Sequence, residues 1–145
     1  MSPRYDATLN QMVRSDDQAD VQHIRTRFTI AQINAGATLL PAVPGFKYRI
    51  VDMALIAIGG AVTGATDVRI LGTRAAGSVA LLVAAIAALT QSALLRAGVA
   101  NAVIFVDGAS FTQLDVNTAV TVGKTGGAGA TATHVDVLVT YVLEE

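Results

Sequence analysis

The chain has no cysteine and no tryptophan, and it has two histidines, three prolines and only two glutamates, both at its last positions. Without cysteine there is no disulfide framework and no thiolate metal site. Neither histidine, His23 or His134, has a partner at metal-ligand spacing, so each reads as an ordinary strand or surface histidine, and no cofactor is expected. Charge is also scarce. Charged residues are 14% of the chain and the net charge is -1, so no basic surface suited to general nucleic-acid binding is expected.

No apolar run is long enough to cross a membrane as a helix, which takes about 20 residues. Residues 79–89 are the longest candidate; Thr90, Gln91 and Ser92 interrupt the run and Arg96 ends its extension. The first residues lack the apolar core of a signal peptide. Yet 52% of the chain is hydrophobic and its mean hydropathy is +0.53. With the membrane set aside, that excess predicts burial between subunits, because obligate interfaces resemble a core cut in half.

What is present is a series of short apolar segments, alternating with period two and separated by glycine turns, from residue 39 to residue 142. At 145 residues the chain is the size of one domain. Residues 1–27 hold eight of the 21 charged residues and few large apolar ones. We read residues 1–20 as an extended N-terminal arm, with a short helix conceivable within 6–14, and residues 21–145 as one β-sandwich domain. A segment of that composition cannot bury enough surface to order itself and needs a partner.

From Val21 the alternation begins. Ile24, Thr26, Phe28 and Ile30 share one face; Arg25, Arg27 and Thr29 share the other, as in a half-buried strand. Asn34-Ala35-Gly36 is a turn, and 38–40 a short strand closed by Pro41. Residues 46–58 form the longest strand, with Tyr48, Ile50 and Asp52 on one face and Lys47, Arg49, Val51 and Met53 on the other. Strands are also predicted over 66–73, 101–106, 118–124 and 133–143. Residues 79–89 fit either a helix or a buried strand. Asp107-Gly108 signals a hairpin or a tight turn, and Gly126-Gly127-Ala128-Gly129 a flexible loop. The last strand carries Val135, Val137, Val139 and Tyr141 on one face. About eight antiparallel strands at this spacing indicate a sandwich or barrel.

Motifs for chemistry fail on inspection. Gly123-Lys124-Thr125 resembles the end of a phosphate-binding loop, but Thr118 stands where its first glycine belongs. The run Gly59 to Gly64 has Ala61 where a dinucleotide fingerprint needs glycine. Gly108-Ala109-Ser110-Phe111-Thr112 ends in Thr and so misses the nucleophile elbow. Asp16, Asp17 and Asp20 lack the glycine and glutamate of a calcium loop. No enzyme is expected.

Several segments together resemble small structural proteins of tailed bacteriophages, in particular jelly-roll head decoration (cement) proteins and head-fibre bases. These are LLPAVPGFKYRIVDMALIAIGG, TDVRILGT, VIFVDGASFTQLDVNTAVTVGKTGG and THVDVLVTYVLE. The marks are Leu40-Pro41, Gly45, Tyr48 and Ile50 at the opening and Val137-x-Val139-x-Tyr141 at the close, over residues 36–145. The resemblance implies a jelly-roll sandwich, a homotrimer, the major capsid protein as partner, and a place on the capsid surface of a virion. It also implies an alternative, a receptor- or glycan-binding module of a head or tail fibre. Within it, Ile24, Phe28 and Ile30 are candidates for the arm–core or subunit interface. Arg4 and Arg14 are candidates for contact with the capsid. Neither nucleic acid nor membrane is expected as a partner.

Overall fold

The computed structural model describes residues 20–145 in full and, by backbone alone, two strands before them. These are β1 (Pro3–Asp6) and β2 (Gln11–Arg14), which pair antiparallel with each other and with neither larger sheet. Pro3 stands opposite Arg14, and Arg4 opposite Val13. The helix considered within 6–14 is therefore not formed at Gln11–Arg14. A helix that short lacks the turns needed to offset its nucleation cost. The rest of residues 1–19, and the side chains of Arg4, Arg14, Asp16 and Asp17, lie outside the described residues.

Nine strands build two facing antiparallel sheets. They are β3 (Gln22–Thr29), β4 (Ala37–Leu40), β5 (Lys47–Ile58), β6 (Val62–Arg74), β7 (Gly77–Ala85), β8 (Leu94–Arg96), β9 (Ala102–Val103), β10 (Val120–Thr131) and β11 (His134–Glu144). One sheet has the order β4-β10-β6-β7-β9 and the other β3-β11-β5-β8. With the two-residue β9 set aside, the first, eighth, third and sixth strands make one sheet. The second, seventh, fourth and fifth make the other. This is the winding of a jelly roll, two Greek keys folded face to face.

The core lies between the sheets. Ile50, Met53, Leu55, Val68, Ile70, Leu81, Leu82, Val120, Val122, Val135 and Val137 are all sealed from solvent. Val135, Val137 and Val139 line the inner face of β11, as alternation demands. Residues 79–89 resolve as a strand through Ala85, followed by a 3-10 turn over Ile86–Ala88.

Four local readings are corrected. First, Ile30 leaves the strand and starts α1 (Ile30–Ala35). Gln32 N–H donates to Thr29 Oγ1 (3.2 Å) and Thr29 N–H to Gln32 Oε1 (2.8 Å), a reciprocal cap that outcompetes one more ladder residue. Second, β5 changes phase. Thr140 pairs with Asp52 but Tyr141 with Ile50, leaving Val51 as a bulge residue. Tyr48 and Ile50 therefore share the buried face with Met53, and Asp52 does not join them.

Third, the glycine run is strand, not loop: β10 continues to Thr131. Its glycines are needed for close approach. A Cβ on Gly126 (φ +77°) would lie 2.3 Å from Thr66 Oγ1, and one on Gly127 would lie 2.7 Å from the Gly64 carbonyl oxygen. The Asn34 side chain then acts as a strand edge. Its Oδ1 accepts from Gly129 N–H (2.7 Å) and its Nδ2 donates to the Gly129 carbonyl (3.1 Å). Fourth, the strand over 101–106 shrinks to β9. Phe105 N–H donates to Ser110 Oγ (2.8 Å) and Ala109 N–H to Asp107 Oδ1 (2.9 Å). These bonds draw the chain into a 3-10 turn over Ala109–Phe111 instead of a hairpin.

Candidate binding surface

The inward set of β3 (Ile24, Thr26, Phe28) forces His23, Arg25, Arg27 and Thr29 outward. Register then assembles cross-strand rows on the outer face of the four-stranded sheet. One row is His23, Thr140 and Asp52. The next is Arg25, Leu138, Ala54 and Arg96. The third is Arg27, Asp136, Ile56 and Leu94.

Asp136 is the anchor of this face. Its carboxylate accepts from Arg25 Nε (2.7 Å) and Nη2, and from Arg27 Nε (2.7 Å) and Nη2 (3.1 Å). The Asp136 side chain is 1% exposed, while those of Arg25 and Arg27 are 56% and 53% exposed. The Arg27 hydrogen bond, helped by Arg25, holds the Asp136 carboxyl below its ordinary pKa although burial opposes this. The same bond raises the Arg27 guanidinium.

Arg96 Nη2 donates to Asp52 Oδ2 (2.9 Å), and Asp52 Oδ1 accepts from Met53 N–H (2.9 Å). His23 Nδ1 and Thr140 Oγ1 are 2.9 Å apart. These groups help to line an open trough of about 280 Å³, together with Ala54, Leu94 and Leu138.

The outer face of the five-stranded sheet is sparser in charge. Arg69 Nε and Nη2 donate to Asp67 at 2.8 and 3.0 Å. Burial opposes ionisation of Asp67, but hydrogen bonds from Arg69 and Thr125 outweigh it, and its pKa lies below the ordinary value. One stretch of the chain exposes several apolar side chains. Leu94, Val99, Val103, Phe105 and Val106 are exposed along the 94–106 stretch, which carries one charge, Arg96.

Phe28 and Ile30 sit in the core cluster and Ile24 packs against it. His23 and His134 share one sheet face but stand near opposite ends of β3, opposite Thr140 and Thr29. That is six residues along the strand, about 20 Å, so they form no pair. Lys124 Nζ donates to the Gly126 carbonyl within its own strand (2.9 Å). Ser110 is fully buried. Among the described residues no three His, Cys, Asp or Glu side chains gather as a metal site would need, and no helix is long and apolar enough to cross a membrane. The Arg25–Asp136–Arg27 cluster was not legible as a group, since its members lie 109 and 111 positions apart. The available signal was an outward Asp on a valine-rich strand and an outward Arg-x-Arg on another.

What this architecture defines is an all-β sandwich wound as a jelly roll. The chain matches no family model, no curated protein and no solved structure.

Proposed function

We propose that the protein is a non-enzymatic structural subunit of a virion. In this reading it decorates and stabilises the capsid surface of a tailed phage as a homotrimer, with the major capsid protein as its partner. The observation that carries the reading is the apolar stretch exposed on the jelly roll at Leu94, Val99, Val103, Phe105 and Val106. Large apolar side chains left exposed within one short stretch of a small protein are what a contact site needs, and closed symmetry is the usual way to hide them. The sequence resemblance supplies the setting. Decoration by many copies makes weak single contacts sufficient.

A glycan-binding fibre module would be favoured by a cluster of exposed aromatic rings at loop tips. Among the described aromatic residues Phe105 alone is exposed, so the structural reading is preferred.

The test is direct. Light scattering should give three times the chain mass of 14.9 kDa, and electron microscopy of phage heads mixed with the protein should show ordered added density. A monomer at micromolar concentration, with bare heads, would overturn the proposal.

A further inference from the structure

Two arginines share one carboxylate at the edge of the four-stranded sheet. Arg25 and Arg27 project from the same face of β3, two residues apart, and β3 ends the order β3-β11-β5-β8. Arg25 Nε and Nη2 both donate to Asp136 Oδ2, while Arg27 Nε donates to Oδ1 and its Nη2 to Oδ2. The Asp136 side chain is 1% exposed beneath arginines that are 56% and 53% exposed. The pair therefore carries one positive charge more than Asp136 neutralises, and it carries it on the solvent side. Directly across on β11 stand Leu138 and Asp136. Asp52, the other carboxylate in the three cross-strand rows of this face, lies on β5 and accepts from Arg96. A guanidinium has five N–H groups; each of these two commits a pair of them to Asp136 and keeps the rest for a further acceptor.

We infer that the Arg25–Arg27 pair is a binding site for a single tetrahedral oxyanion, a phosphate or sulfate group, free or at the end of a larger molecule. The inference goes beyond the virion reading and does not depend on it. Arginine forks match the oxygens of carboxylate and phosphate, and the crowding on Asp136 decides between the two. Three of the four N–H bonds to that carboxylate fall on Oδ2 alone, because two coplanar oxygens cannot give each fork its own acceptors. A tetrahedral group offers three oxygens out of one plane, so both forks can be served at once. Asp136 holds the guanidiniums in place before any ligand arrives, which reduces the ordering cost of binding. One surplus charge at one place suits one anionic group and not a polyanion, whose binding needs many phosphate contacts. Charges on an edge strand also discourage edge-to-edge pairing, but that role needs neither a shared buried carboxylate nor fixed guanidiniums.

The probes are inorganic phosphate, sulfate, phenyl phosphate and acetate, each titrated into the full chain at fixed ionic strength with chloride as the balancing anion. NMR of the arginine Nε–H groups and of the β3 and β11 amides reads the site. Saturable shifts centred on Arg25, Arg27 and Asp136 with phosphate and sulfate, and weaker ones with acetate, are the expected result. Phenyl phosphate binding at the same residues supports a group carried on a larger molecule; binding of the inorganic ions alone supports a free ion. Arg25→Gln removes the surplus charge yet leaves the Arg27–Asp136 bonds in place, and should weaken phosphate binding roughly tenfold. Arg25→Lys keeps the charge without the fork and should fall between the two. Melting curves check that both variants are folded. No saturable shift at tens of millimolar phosphate, acetate binding as tightly as phosphate, or Arg25→Gln binding as wild type does would each overturn the inference. Its failure leaves decoration of heads untouched, and bare heads leave an observed phosphate site standing.

Discussion

The rings of Tyr48 and Tyr141 meet edge to face, with centroids 5.3 Å apart and planes at 75°. They belong to paired strands, and strict alternation from Met53 would send Tyr48 to the outer surface. The bulge at Val51 brings it in. Val51 itself is 49% exposed, so its contribution is the extra backbone residue and not its side chain. Deleting Val51 should turn Tyr48 and Ile50 outward, at about 1.5–3 kcal/mol for each large side chain lost from the core. Calorimetry should show Tm falling by at least about 10 °C, while Val51→Thr leaves Tm within about 2 °C. A deletion variant with unchanged Tm would show that β5 tolerates either phase.

Tyr48 also predicts an alkaline limb. Burial, and then the neighbouring Tyr141, push its phenol up to about 12, and its hydroxyl donates to the Pro41 carbonyl (2.5 Å). A raised folded pKa means that the contribution is complete below the unfolded value of about 10 and is lost as pH rises toward 12. Tyr48→Phe should be about 1 kcal/mol less stable at pH 7. Its stability should fall less than that of wild type between pH 10 and 12, measured by denaturant midpoint. Parallel curves for the two proteins would refute this.

Phe28 is 4% exposed and belongs to the core cluster. Phe28→Ala should cost about 3–5 kcal/mol, read as a lower urea midpoint with an unchanged slope. Ile24→Ala, at the partly buried end of β3, should cost less. Equal losses at the two positions would show that burial along β3 is not graded as the structure has it.

Asp136 predicts the acid limb. Its folded pKa is lowered, chiefly by the Arg27 hydrogen bond. Its contribution is therefore present above the unfolded value of about 4 and disappears as pH falls through the lower folded value. Asp136→Asn should cost about 1–3 kcal/mol at pH 7, and the gap from wild type should close below about pH 4. Glu144, lowered by its Arg49 hydrogen bond, and Asp67 titrate in the same direction, so the comparison with Asp136→Asn isolates the cluster. A gap independent of pH would mean that the carboxylate charge contributes nothing.

Residues 1–20 should serve attachment rather than folding of the sandwich. Ordering a charged segment costs about 1–2 kcal/mol per residue, with few large apolar side chains to offset it. Removing residues 1–20 should leave Tm nearly unchanged and weaken binding to heads. A truncated protein that fails to fold, or that binds heads as tightly as the full chain, would refute the arm's role.

Most strands and their buried faces were legible from the chain alone. Alternation is local: Val135, Val137 and Val139, or Val68 and Ile70, declare their face through immediate neighbours. Even α1 left a local mark in the Thr29–Gln32 cap. The remainder depended on pairing across long separations. The bulge at Val51 exists only relative to β11, and the glycine run becomes strand only because Thr66, Gly64 and Asn34 approach it from elsewhere. Arg25, Asp136 and Arg96 form one surface only through the order β3-β11-β5-β8 and its register. Side-chain period determines which way a residue points. Which residues it then meets is decided by non-local hydrogen-bond register, and that is a property of the folded sheet.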